Sequence, residues 1–244
     1  MFRWLTALGL SALGSAGGLL VASVVLFVRK DLRTRMVPWL VSYAVGTLLG
    51  AALLGLLPEA LESLTPKAAA IALLCGVLAF FMVEKLVLWH HWHDDDECHV
   101  HKTTATLLIV GDAIHTFVDG VVIAAAVLVS VPLGITTALA VVAHEIPQEA
   151  GDFAILLSAG YSRSRAVVLN LTSAIGGILG AAAMLMFGTA TPKVVPFVLA
   201  FAAGSFLYIA MADLIPSLHH GKRDRTSAVQ AVLIALGVAT IAVL

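Results

Sequence analysis

The sequence predicts an all-α integral membrane protein of eight transmembrane helices, in which spans 1–3 and 6–8 form an inverted repeat around spans 4 and 5. Three observations predict it. First, of 244 residues 60% are hydrophobic and only 12% charged, with a mean hydropathy of +1.02; in water such a chain would expose large apolar patches. Second, short polar connectors cut the chain into eight apolar stretches, each close to the ~20 residues that a helix needs to cross the hydrocarbon. Third, "GLLPEAL" (Gly55–Leu61) at the end of span 2 is echoed by "DLIPSLH" (Asp213–His219) at the end of span 7. Those two spans would run in opposite directions, as in many secondary transporters.

The first stretch, Leu5–Val28, follows Arg3 and exceeds the ~7–15-residue core of a signal peptide, so it is read as the first helix of the mature protein. Val37–Leu61, Ala68–Trp89, Thr104–Val129, Gly134–Ala159, Arg165–Phe187, Val194–Pro216 and Thr226–Leu244 follow. The connectors leave no room for a soluble domain, so residues 1–244 are expected to form a single transmembrane domain. Connectors one, three, five and seven carry ten of the fourteen Lys and Arg residues, which places them in the cytoplasm and both termini outside. The expected location is the plasma membrane, or the inner membrane of a bacterium, with lipid as surroundings. A net charge of −1 supplies no basic face, which excludes nucleic acid as a partner. Cys75 and Cys98 are too few for a disulfide framework and are expected as free thiols.

Polarity inside the membrane is concentrated in two spans. Span 4 holds Asp112, His115, Thr116 and Asp119; span 5 holds His144, Glu145, Gln148, Glu149 and Asp152 in "HEIPQEAGD". At about 100° per residue each set falls on one face of its helix. A charged side chain facing lipid at the bilayer centre costs ~2.5–3.5 kcal/mol, and the five carboxylates together ~12–18 kcal/mol on that scale. They are therefore expected to face one another, water or a cation. Imidazole and an oxygen ligand at i, i+4 converge on one metal, and His115/Asp119 and His144/Gln148 have that spacing. Pro147 removes a backbone donor and frees the carbonyl of Ala143, either as a kink tolerated in packing or as a further oxygen facing an ion.

"HTFVDG" and "HEIPQEAGDFAILLSAG" resemble the fourth- and fifth-span signatures of the ZIP (Zrt/Irt-like) divalent metal transporters. The likeness extends to the eight spans, a histidine-rich connector after span 3 and "AGSFLYIAMADLIP" in span 7. It implies a transporter rather than an enzyme, carrying zinc as substrate, with Cd2+, Mn2+ or Fe2+ as alternatives, and a homodimer. It also implies a dinuclear centre: one metal held by His115, Asp119, His144 and Gln148, a second beside Thr116, Glu145 and Ser173, with Asp119 bridging and Glu149 at the motif's tail. Spans 1, 4, 5 and 6 would move as a unit against the others. Two departures stand out, since that branch of the family has asparagine at Thr116 and histidine at Gln148. Both replacements keep an oxygen without charge, which weakens the second site and loosens a strict preference for zinc.

The connector "HHWHDDDECHVHK", within the stretch 90–103, holds His90, His91, His93, His99 and His101 among acids, a composition that binds metal without fixed finger spacing. A flexible cytoplasmic loop that receives metal is expected there. The alternative function is an intramembrane zinc-dependent hydrolase. His-Glu-x-x-His would mark a zinc protease, but its last position is Gln148 and Pro147 interrupts it.

Overall fold

The computed structural model describes residues 2–27, 30–89, 97–218 and 226–244. Among them there is no strand, and they form eight helical rods. Helix α1 spans Phe2–Phe27. Helix α2 runs Lys30–Gly50, widens into a π turn over Ala51–Leu56 and resumes as Leu57–Ser63. Next come α3 (Pro66–Trp89), α4 (Glu97–Val129), α5 (Val131–Ser158) and α6 (Arg163–Ala190). Helix α7 repeats the pattern of α2, with Val195–Tyr208, a π turn over Ile209–Leu214 and then Ile215–Leu218. Helix α8 spans Thr226–Val243.

Among the described residues six stretches are long and apolar enough to cross a membrane, and Ser227–Val243 is apolar but shorter. Helix α5 has the length, at 28 residues, but carries Glu145, Glu149 and Asp152. Leu13, Leu20, Leu74, Leu78, Leu171 and Leu179 all point outward, the arrangement that lipid rather than water solvates. This is a multi-pass membrane protein.

Some boundaries differ from expectation. Helix α2 begins at Lys30 rather than Val37, and α4 begins at Glu97 rather than Thr104. The expected loop over 90–103 is therefore helical from Glu97 on. Neither extension contains Gly or Pro, so nothing stops the backbone ladder once it leaves the hydrocarbon. Helix α5 also continues through Pro147 to Ser158, where the sequence left open a kink.

The two π turns explain the sequence echo. Leu57 N–H bonds Ala52 O and Ile215 N–H bonds Ala210 O, both five residues back. Each wide turn ends two residues before a proline, Pro58 or Pro216, whose missing donor breaks the regular ladder. Packing repeats the same symmetry. Helix α4 packs on α6 as α5 does on α1, and α3 packs on α7 as α8 does on α2. Exchanging helices 1–3 with 6–8, and 4 with 5, maps these pairs onto themselves.

Two bodies result, α1/α4/α5/α6 and α2/α3/α7/α8. Their inner seams bring backbones into contact. A Cβ on Gly180 would collide with the carbonyl oxygen of Phe117 on α4, and one on Gly204 with that of Leu73 on α3. Inter-helix hydrogen bonds reinforce each body, with Gln148 on Asp112 in one and Tyr43 on Thr240 in the other.

The joint between α4 and α5 is a single residue. Ser130 is extended (φ −148°, ψ 150°), and its hydroxyl accepts from Leu133 N–H at 3.3 Å, capping α5. Ser130→Ala should lower stability by about 1 kcal/mol, read as a fall of roughly 2–4 °C in the melting temperature of the detergent-solubilised protein. Helix α5, ending at Ser158, is closed by Gly160 (φ +85°) just beyond it, with Tyr161 N–H bonding Leu156 O at 3.1 Å, a glycine closure that satisfies one of the last carbonyls.

Candidate metal centre

Periodicity sets the site. Asp112, His115 and Asp119 repeat every three or four residues along α4, and His144/Gln148 and Glu145/Glu149 do so along α5, so each helix presents one stripe to the other. His115, Asp119, His144 and Glu145 converge, and all but the partly buried His115 are buried. The His115 and His144 Nε2 atoms lie 3.1 Å apart. Asp119 Oδ2 is 3.5 Å from His115 Nε2 and 3.3 Å from His144 Nε2. Glu145 Oε1 is 3.7 Å and 3.9 Å from the same two nitrogens. A tetrahedral zinc with bonds of ~2.0–2.1 Å has ligand–ligand edges of about 3.3–3.4 Å. The observed edges bracket that value, so the residues fit the ion.

Protonation agrees. His144 Nδ1 lies 3.0 Å from Ala140 O, a carbonyl that can only accept. The proton therefore sits on Nδ1, and Nε2 presents its lone pair to the centre. Both oxygens of Asp119 and Oε1 of Glu145 are buried without a hydrogen-bond partner, a costly state for carboxylates that a cation relieves. Phe80 of α3 and Phe206 of α7 meet the rings of His115 and His144 edge-on, at 5.5 and 5.9 Å. The centre thus lies on one body and is walled by the other.

A second group, Asp112, Glu145 and Glu149, lies on the side of the centre toward the start of α4, and its ligand atoms are within 4.8 Å of one another. Asp112 accepts from Ser173 Oγ of α6 and from Gln148 Nε2 at 3.4 Å.

Comparison with known proteins gives the family. A family model described as ZIP Zinc transporter matches residues 89–244, more than half of the chain. The chain belongs to the ZIP family. It is similar to the zinc transporter ZIP13 of Pongo abelii, 37% identical over 216 residues, covering 82% of this chain and 64% of that protein. ZIP13 of Mus musculus is 32% identical over 245 residues, 82% of this chain and 67% of that protein. Human zinc transporter ZIP10 is 37% identical over 147 residues, 56% of this chain but 18% of its own length. The chain thus spans less than two-thirds of the Pongo ZIP13 and under a fifth of ZIP10.

Within this ZIP chain the expected ligands separate. His115, Asp119 and His144 come together, joined by Glu145 rather than by Gln148, whose amide points to Asp112. The Thr116 hydroxyl donates to Asp112 O at 2.5 Å, committing its proton to its own helix. Ser173 and Glu149 fall at the second group. His90, His91 and His93 lie outside the described residues, as do the side chains of His99 and His101.

Sequence reasoning left Asp112 out of the ligand set and did not single out Asn170. Asp112 was signalled by its place three residues before His115 on the polar face, and Asn170 as a buried amide in an otherwise apolar stretch of α6. A cavity of about 330 Å3 leads from the centre between the two bodies. Its walls carry His115, Asp112, Gln148 and Asp152 on one side, and Glu84, Tyr208 and Asp213 on the other. Tyr208 donates to Glu84 across the α7–α3 seam.

Proposed function

We propose that this ZIP chain moves a divalent transition metal, zinc foremost, across the membrane into the cytoplasm, with His115, Asp119, His144 and Glu145 holding it midway. The observation that carries this reading is the near-tetrahedral spacing of four ligand atoms on side chains whose carboxylates otherwise lack partners. The names of the relatives, zinc transporters ZIP13 and ZIP10, support zinc as cargo; cadmium, manganese and ferrous iron are further candidates. They support no hydrolase, and Gln148 stands where a zinc protease needs its second histidine.

Access to the centre is one-sided. Beyond Asp119, Val122 through Val127 of α4 are buried to 1% exposure or less, an apolar seal that no hydrated ion crosses. On the other side the acidic cavity opens toward the start of α4. The basic connectors support a cytoplasmic position for that end and an outward position for both termini, and we infer the plasma membrane as location. Carboxylates of Asp152, Asp213 and Glu84 would draw the ion from the centre along this route. The 90–103 stretch, as part of the single transmembrane domain, would receive it. Transport then requires the histidine-bearing body to shift against the other until the seal opens.

Reconstitution tests this directly. Proteoliposomes loaded with a zinc-sensitive dye should fill down an imposed zinc gradient when they contain the wild-type chain and stay empty without it. Monodisperse, correctly incorporated protein that moved no divalent metal would overturn the reading.

A further inference from the structure

The two histidines of the centre are not held alike. His144 is fully buried, and its Nδ1 is fixed by Ala140 O at 3.0 Å. His115 keeps 11% of its side chain exposed and borders the cavity, and among the described residues its Nδ1 has no hydrogen-bond partner. A metal-binding imidazole is normally oriented by a carboxylate or carbonyl at its far nitrogen. For His115 packing must set the ring's direction instead. Two rings supply it, each edge-on at 74°: His144, with centroids 5.4 Å apart, and Phe80, at 5.5 Å. His144 belongs to the same body as His115 and travels with it. Phe80 stands on α3 of the other body, is buried and lines the cavity beside His115.

We propose that Phe80 is a positioning residue for metal release: it holds His115, the ligand that lets go first, against the ion from the body that does not carry the metal. This role rests on the reading of the histidine centre as the midway metal site. Asp119, His144 and Glu145 are all closed to 1% exposure or less, and of the four ligands only His115 lines the cavity. The ion therefore reaches the cavity where His115 turns aside. Turning that ring breaks the contact with Phe80 as well as the bond to the metal, and an edge-to-face aromatic pair adds to the stabilisation that burial alone gives. His144 cannot yield in the same way, because Ala140 O anchors its far nitrogen and Phe206 backs its ring at 5.9 Å. Once the histidine-bearing body shifts against the other, Phe80 is left behind. It thus acts on release into this cavity and not on capture from the opposite side.

The test uses the purified full-length chain in detergent, loaded with Co2+, whose visible absorption reports tetrahedral binding, and chased with excess EDTA in a stopped-flow cell. Phe80→Leu keeps most of the bulk without the aromatic edge. It should release Co2+ about three- to tenfold faster than wild type, the range one aromatic pair is worth, from an unchanged starting spectrum and with a melting temperature within about 3 °C. Phe80→Tyr, which restores the ring, should bring the rate back to within about twofold of wild type. Phe206→Leu should accelerate release less than Phe80→Leu does, because His144 keeps its carbonyl anchor. Should Phe80→Leu melt markedly lower, Phe80→Met, of similar volume and equally without a ring, decides. Release from the ringless variant at the wild-type rate, Phe80→Tyr as fast as that variant, or equal acceleration by Phe206→Leu would overturn the proposal. Wild type without a tetrahedral Co2+ spectrum overturns the histidine centre and this role with it; a normal spectrum with equal rates overturns this role alone.

Discussion

Replacing His115 and His144 together with alanine should cut zinc uptake in proteoliposomes by more than about 100-fold. Loss of a mere outer-sphere partner already costs ~10–100-fold in metal affinity, and this variant removes both nitrogens of the set. The remaining ligands, Asp119 and Glu145, would then sit as two buried carboxylates with only each other and the ion. Gln148→Ala makes the contrast. A ligand-set reading from the motif alone expects a comparable loss, but the amide makes a 3.4 Å hydrogen bond to Asp112 instead. Losing one such bond is worth ~0.5–1.5 kcal/mol, so uptake should stay within about tenfold of wild type. Initial rates at several zinc concentrations, normalised to incorporated protein, read both results. Equal loss in the two variants would return Gln148 to the first centre.

Gly180→Leu should largely abolish folding. Overpacking in a filled core costs ~1–3 kcal/mol, and replacing glycine in a helix interior by alanine returns only ~0.5–1 kcal/mol. At Gly180 the obstacle is the Phe117 carbonyl and Val121 nitrogen of α4, backbone atoms that cannot rotate aside. Leucine would have to push α4 off α6 along the seam that carries both Asp112 and Ser173. The same substitution at Gly9, which has nothing within 4 Å, should leave the chain intact. Size-exclusion profiles and melting in detergent should show Gly180→Leu aggregated or melting at least about 10 °C lower, and Gly9→Leu within about 3 °C of wild type. A Gly180→Leu protein that melts like wild type would mean that α4 and α6 are not in backbone contact.

Much of this was legible in the chain. Hydropathy alone determines the membrane class, because no soluble packing hides that much apolar surface. Three- and four-residue spacing puts His115 with Asp119 on one face, and two span signatures identify the family. The leucine-proline echo marks the repeat, because a proline perturbs the helix ladder wherever it stands. What spacing could not supply is the rotation of α4, α5 and α6 about their own axes. Glu145 and Gln148 differ by three residues, a rotation of about 300° at ~100° per residue, so both lie near one face and either might serve from sequence alone. The observed rotation decides between them, with Glu145 Oε1 3.7 Å from His115 Nε2 and the Gln148 amide on Asp112. A Cβ at Gly18 would come within 2.6 Å of Glu145 Cβ, so α1 lies close against the helix at that residue.

The sequence by itself determined an all-α membrane protein of the ZIP family with a candidate metal centre on spans 4 and 5. Those features follow from composition and local periodicity, which act along the chain. Only the tertiary structure decided that Glu145 lies with His115, Asp119 and His144, that Gln148 turns to Asp112, and that Asn170 from a third helix lies against Glu149. Such partners are distant in sequence, and contact between them depends on how closely glycine seams let helices approach, a distance that no single helix encodes.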